Sequence, residues 1–128
     1  MNRSTRAARL ARSYYAAIDG GEYDRLGDLL DPAFVHDRPD RTLEGRDRFV
    51  AFMRDERPLT DTEHVVDATY ERDPGGGDDG SAPAESTGVA VRGRLLDADG
   101  DELFAFVDVF DVADGRLTEL RTYVRTDV

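Results

Sequence analysis

Cysteine, lysine and tryptophan are missing from the 128 residues. Without cysteine the chain has neither a disulfide scaffold nor a thiolate nucleophile, and structural zinc loses its usual ligand. Histidine occurs twice, at His36 and His64, with no HxH or HxxxH spacing, so no metal site is expected. Gly75-Gly76-Gly77 has no following GK[ST], which excludes a phosphate-cradling loop of that type. No apolar run approaches the about 18 residues of a membrane span. The start has no charged-then-apolar leader pattern, and the expectation is a soluble cytoplasmic protein. Basic residues form no broad positive field, so nucleic-acid binding is not expected.

What is present is acid. There are 28 acidic residues against 17 basic ones, a formal net charge of −11. All 17 bases are arginine, and aspartate outnumbers glutamate 20 to 8. A dense carboxylate surface holds water and counterions, and salt screens its self-repulsion. The pattern therefore reads as halophilic adaptation; a GC-rich coding bias would also replace lysine by arginine. Either way, a single aspartate in a motif is weak evidence. Arg3, Arg6, Arg9 and Arg12 lie in an acid-free opening, read as an exposed basic helix face or an arm for an acidic partner. The length, with 39% hydrophobic residues, fits one folded domain over residues 1–128.

Hydrophobic spacing predicts helices over residues 5–19 and 22–30 and after Gly45, the second ended by Asp31-Pro32. Residues 34–39 read as a short extended piece. The period then changes to two, predicting strands at 63–72, 88–96, 102–112 and 116–126. Residues 73–87 read as a flexible acidic, glycine-rich loop. Helices followed by an antiparallel meander make an α+β fold, with helices on one face of the sheet. In Leu103–Phe110 both alternate sets are apolar, so both sheet faces need cover. The second cover is expected to be another copy of the chain, a homodimer through the outer sheet face.

Asp108 stands out. It shares a strand face with Phe104, Phe106 and Phe110. If that face looks inward, desolvation favours the neutral acid, which can donate a hydrogen bond to a developing oxyanion. If it looks outward, Asp108 is solvated and Leu103, Ala105, Val107 and Val109 form the core.

Tyr15 to Leu26 (YAAIDGGEYDRL), Leu43 to Phe49 (LEGRDRF) and Val107 to Glu119 (VDVFDVADGRLTE) resemble the nuclear-transport-factor-2-like superfamily, in its SnoaL-like and ketosteroid isomerase-like branch. The resemblance runs from about residue 7 to 125. It implies a cone of three N-terminal helices on a curved, mainly antiparallel sheet. It also implies a pocket for a small hydrophobic ligand, here with Phe34, Phe52, Tyr70, Phe104, Phe106 and Phe110 as the expected lining. The ketosteroid isomerase pattern carries over as Tyr14 for the oxyanion donor, Asp37 for the base and Asp108 for the protonated acid. It departs at Arg38, which stands where the pattern has proline and could pair with Asp37. Thr62-Glu63-His64-Val65-Val66 is similar to a segment of the scytalone-dehydratase-like branch, where a histidine serves in acid–base dehydration. His36 and His64 are therefore alternative proton-transfer residues.

The implied activity is cofactor-free isomerisation, cyclisation or dehydration of a small hydrophobic carbonyl compound. The alternatives are a non-catalytic binder of a hydrophobic ligand and a protein-association module.

Overall fold

The computed structural model describes residues 6–57, 61–71 and 87–125. The loop expected at 73–87 lies outside the described residues except for Thr87, which opens a strand.

Helix α1 (Arg6–Asp19) presents Arg6, Arg9 and Arg12 to solvent and buries Ala7, Ala8, Ala11, Tyr14, Tyr15, Ala17 and Ile18. The buried face is wider than a single stripe, and the alanines let the helix lie close against its neighbours. Its end is a Schellman closure: the Glu22 amide donates to Ala17 O at 2.8 Å and the Gly21 amide to Ile18 O at 3.1 Å. Helix α2 (Tyr23–Asp28) is shorter than expected, because strand β1 (Leu30–Asp37) already begins before Pro32. Pro32 is tolerated in an irregular stretch, where the β1 register shifts between Leu30 and Val35.

Strand β2 (Thr42–Glu44) was not legible in the sequence; three residues carry too little periodicity. Helix α3 (Arg46–Ala51) continues into a π-helical turn at Phe52–Glu56. Strands β3 (Glu63–Glu71), β4 (Thr87–Leu96), β5 (Glu102–Ala113) and β6 (Arg116–Arg125) form the expected meander.

The six strands form one sheet in the order β2-β1-β6-β5-β4-β3. Only β1 with β6 is parallel; the other pairs are antiparallel. The β5–β6 hairpin turns on Asp114 and Gly115, both at positive φ (54° and 78°), the backbone that right-twisted hairpins favour. Helix α1 packs on β3 and β4, and α3 on β1. Among the described residues, no helix is long and apolar enough to cross a membrane.

Two irregularities in the sheet shape the interior. At β3, Val66 faces Gly93 while Ala68 faces Arg92, so Asp67 is an extra residue, a bulge. A one-residue slip moves every later side chain to the other face. His64 and Val66 therefore point inward, whereas Tyr70 turns outward and is 53% exposed. Tyr70 does not line the pocket as the sequence suggested. Opposite the bulge, Gly93 is obligatory: a Cβ there would sit 2.4 Å from Val65 O and 2.8 Å from the Phe106 ring. The missing side chain leaves room for the Phe106 ring against β4.

Candidate active site

The inner face of β5 carries Phe104, Phe106, Asp108 and Phe110, so the aromatic set looks inward. Asp108 is 5% exposed. Its Oδ2 accepts the Tyr15 hydroxyl at 2.6 Å, and its Oδ1 accepts the Thr122 hydroxyl at 2.6 Å. Thr122 lies directly across from Asp108 on β6. Burial pushes the Asp108 carboxyl up, and the two hydroxyls pull it part of the way back.

The chain continues to β1. His36 Nε2 lies 2.8 Å from Thr122 Oγ1. Thr122 has one hydroxyl proton and gives it to Asp108, so His36 Nε2–H donates to Thr122. His36 Nδ1 is then the bare nitrogen, buried and without a partner among the described residues. Burial, aided by the Arg38 charge, brings His36 down to about 3 and keeps the ring neutral.

A second histidine is held differently. Asp19, on the last turn of α1, clamps His64 with both oxygens. Oδ1 lies 2.7 Å from His64 Nδ1, and Oδ2 accepts the His64 backbone N–H at 2.9 Å. The carboxylate selects the tautomer with Nδ1–H and leaves the Nε2 lone pair available. The His64 ring also packs 4.9 Å from Tyr15 and 5.8 Å from Phe106, which fixes its plane.

Tyr14, His36, His64 and Asp108 all line one cavity of about 270 Å³. That is just under the about 300 Å³ at which small-molecule pockets begin, so the volume suits a small ligand. The rest of the wall is mostly apolar: Leu95, Phe104, Phe106 and Val124 on the sheet side, and Met53 from the π-helical turn. Arg38, Arg57, Thr62 and Thr122 supply the other polar groups. Tyr14 is buried against Phe49 and Phe110, and burial holds its hydroxyl protonated far above the usual range. No hydrogen bond of that hydroxyl occurs among the described residues.

Of the residues expected at the site, four converge and Asp37 stands apart. Asp37 follows His36 on an extended strand and so points to the opposite face. It is exposed, accepts the Thr42 hydroxyl at 3.1 Å, and is absent from the cavity wall. Arg38 does not pair with it: Arg38 Nε donates to Asp40 at 3.1 Å. Among the expected lining residues, Phe104 and Phe106 reach the cavity. Phe34 and Phe110 are fully buried core. Phe52 is capped instead by the guanidinium groups of Arg38, Arg41 and Arg48, at 4.9, 5.1 and 6.0 Å from its centroid.

Sequence reasoning missed Tyr15, Asp19, Thr122 and Arg57. Tyr15 and Asp19 are four apart on α1, a spacing that puts both on one helical face. That signal was present but could not name their partners on β5 and β3.

Residues 11–120 match the SnoaL-like domain family. No curated protein matches the chain. Solved structures share the fold at low identity. An NTF2-like protein of unknown function from Cytophaga hutchinsonii is 17% identical, with a TM-score of 0.71, over 98% of this chain and 95% of that one. A Kribbella flavida protein provisionally described as a ketosteroid isomerase is 22% identical, with a TM-score of 0.69, over 96% and 80%. An LEH-like epoxide hydrolase from M. tuberculosis is 18% identical, with a TM-score of 0.69, over 95% and 84%. With its helices laid on one face of a curved sheet and a family match over most of its length, the chain shares the NTF2-like fold and belongs to the SnoaL-like domain family.

Proposed function

We propose that this domain moves a proton on a small, hydrophobic carbonyl compound, by isomerisation, cyclisation or dehydration, using its own side chains. The observation that carries the reading is the Asp19–His64 pair set in the wall of an apolar cavity. In this reading His64 Nε2 takes a proton alpha to the carbonyl. Asp19 holds the ring in the basic tautomer and stabilises the imidazolium that forms. The carbonyl oxygen becomes negative and takes the Tyr14 hydroxyl as donor, with the neutral acid of Asp108 as the second. Asp108 reaches the cavity with its position set by Tyr15 and Thr122. His64 then returns the proton at the new position or to a leaving hydroxyl. Asp37, once the expected base, has no part in this scheme.

The test is deuterium incorporation into a small hydrophobic ketone, followed by NMR. His64→Ala is expected to abolish exchange, and Asp37→Asn to leave it unchanged. Exchange that survives in His64→Ala with an intact fold refutes the assignment.

One observation favours a second reading, a binding protein without catalysis. Both Asp108 oxygens are already engaged inside the chain, so its carboxyl could serve the fold alone. Under that reading, apolar ligands bind and no variant alters exchange.

We further propose that the outer sheet face pairs with a second copy. Its support is the apolar surface of Tyr70, Val107 and Tyr123, the last two directly opposed on β5 and β6 and 37% and 57% exposed. Among the described residues no helix covers that face.

A further inference from the structure

Arg57 follows the π-helical turn and lines the cavity. It is held rigidly. Its Nε donates to Met53 O at 2.9 Å, Nη1 to the Thr62 hydroxyl at 3.4 Å, and Nη2 to the Tyr23 hydroxyl at 3.3 Å. All three acceptors are neutral.

That is unusual in this chain. Acids outnumber bases 28 to 17, and Arg25, Arg48, Arg54 and Arg94 each pair with a carboxylate. Arg57 is part-buried and has no carboxylate partner among the described residues. A guanidinium has five N–H donors. Three are used, which leaves one on each terminal nitrogen. A carboxylate accepts two such N–H groups with its two oxygens.

The other charged groups at the cavity do not fill this role. Arg38 is already paired with Asp40 and stacked on Phe52. Asp19 is committed to His64. Asp108 lines the same cavity from β5, but both its oxygens are engaged by the Tyr15 and Thr122 hydroxyls, and it makes no ion pair with Arg57 among the described residues. Arg57 is therefore a fixed, uncompensated cation beside an apolar chamber.

We propose that Arg57 binds the carboxylate of the ligand, and that the ligand class is a small, largely apolar monocarboxylic acid. This rests on the cavity being the ligand site, as proposed above, and adds its charge. The apolar wall of Phe104, Phe106 and Leu95 takes the body of the molecule, while Arg57 fixes one end. The proton-transfer group, His64, comes from the strand just after Thr62, the residue to which Arg57 is tied. Anchoring and chemistry thus share one short segment.

The test compares cinnamate with cinnamamide, an acid and its near-isosteric neutral amide, by isothermal titration calorimetry at constant salt. The wild-type protein is expected to prefer cinnamate by about tenfold or more, the size of a hydrogen-bonded charge contact. Arg57→Gln is expected to lose that preference while keeping its affinity for the amide. Arg57→Lys, which keeps a cation, is expected to retain part of it. Thermal melts establish that each variant is folded. Equal wild-type affinity for the two probes overturns the proposal, as does an unchanged preference in folded Arg57→Gln.

His64→Ala separates this proposal from the catalytic one. It should keep the acid preference and lose proton exchange. A neutral ketone that exchanges in a protein without acid preference refutes the anion site alone. Acid preference without exchange in the wild type refutes the catalysis alone.

Discussion

Asp19→Asn isolates the proton-transfer step, because it changes one atom and leaves the shape of the site intact. Asp19 now accepts two hydrogen bonds, from His64 Nδ1–H and from the His64 backbone N–H. Asparagine has one oxygen and one NH₂. If its oxygen meets Nδ1–H, its NH₂ opposes the backbone N–H, and that buried donor is unpaired at about 1–3 kcal/mol. If its oxygen meets the backbone N–H, its NH₂ donates to Nδ1, and both contacts survive. The second arrangement wins, but it requires the tautomer with the proton on Nε2. The base is then occupied.

The tautomer penalty alone slows exchange by about 5–150-fold. The lost carboxylate also ceases to stabilise the imidazolium, by up to about 4 kcal/mol for adjacent charges at an effective dielectric near 20. Partial exposure of the pair, at 15% and 21%, reduces that figure. A loss of about 10²–10⁴-fold in exchange is expected, with a melting temperature within a few degrees of wild type. Ketone deuteration measures the rate, and ¹⁵N shifts of His64 report the tautomer. A folded Asp19→Asn protein exchanging within threefold of wild type refutes the reasoning.

Other outcomes follow from the same geometry. Tyr14→Phe is expected to slow exchange by about 10²-fold with little effect on stability, because its hydroxyl has no partner among the described residues. Tyr15→Phe is expected to destabilise by about 1–3 kcal/mol, because it removes a buried bond to Asp108; denaturant titration distinguishes the two. His36 is held neutral, at about 3 in the folded protein against 6.5 when unfolded, so the unfolded chain binds the extra proton between those values. Stability should therefore fall as pH drops below 6.5, by about 2 kcal/mol at pH 5, and His36→Gln should flatten that slope in urea titrations at fixed salt. Gly93→Ala is expected to lower stability by about 3 kcal/mol or more, since the new Cβ meets backbone that cannot swing away. Sedimentation equilibrium should show a dimer that Val107→Arg dissociates; a wild-type monomer at working salt would refute the pairing of outer faces.

Much of the architecture was legible in the sequence because it is written in short-range periods. The 3.6-residue spacing on α1 and the two-residue spacing on β4 and β6 each reflect one buried face, the doubly apolar β5 reflects a strand with both faces to cover, and the Asp114-Gly115 turn reflects a backbone preference. Asp108 was legible too. An acid among three phenylalanines conflicts with its neighbours whichever way the strand faces, and such a conflict can be seen locally. Its partners could not be seen. Tyr15 and Thr122 are separated from it by 93 and 14 residues, and only the packing of α1 on the sheet and the β5–β6 register joins them.

Asp37 and Tyr70 show where local reading stops. Adjacent strand residues point to opposite faces, so His36 and Asp37 could not both enter the cavity; which one does depends on which side of β1 the helices cover. Tyr70 lies an even number of residues from His64 and Val66, so a strict two-residue alternation would turn it inward, and one extra residue at Asp67 turns it out. A bulge costs little locally and is decided by the partner strand, where Gly93 makes room for Phe106. By itself the sequence determined the class of fold and an anomalous acid on an aromatic strand face, because these follow from periodicity; that this face looks inward was decided by the packing of α1 on the sheet. Only the tertiary structure decided that Asp19 orients His64 and that Arg57 stands uncompensated beside the cavity, because those facts depend on distances between segments that no local pattern encodes.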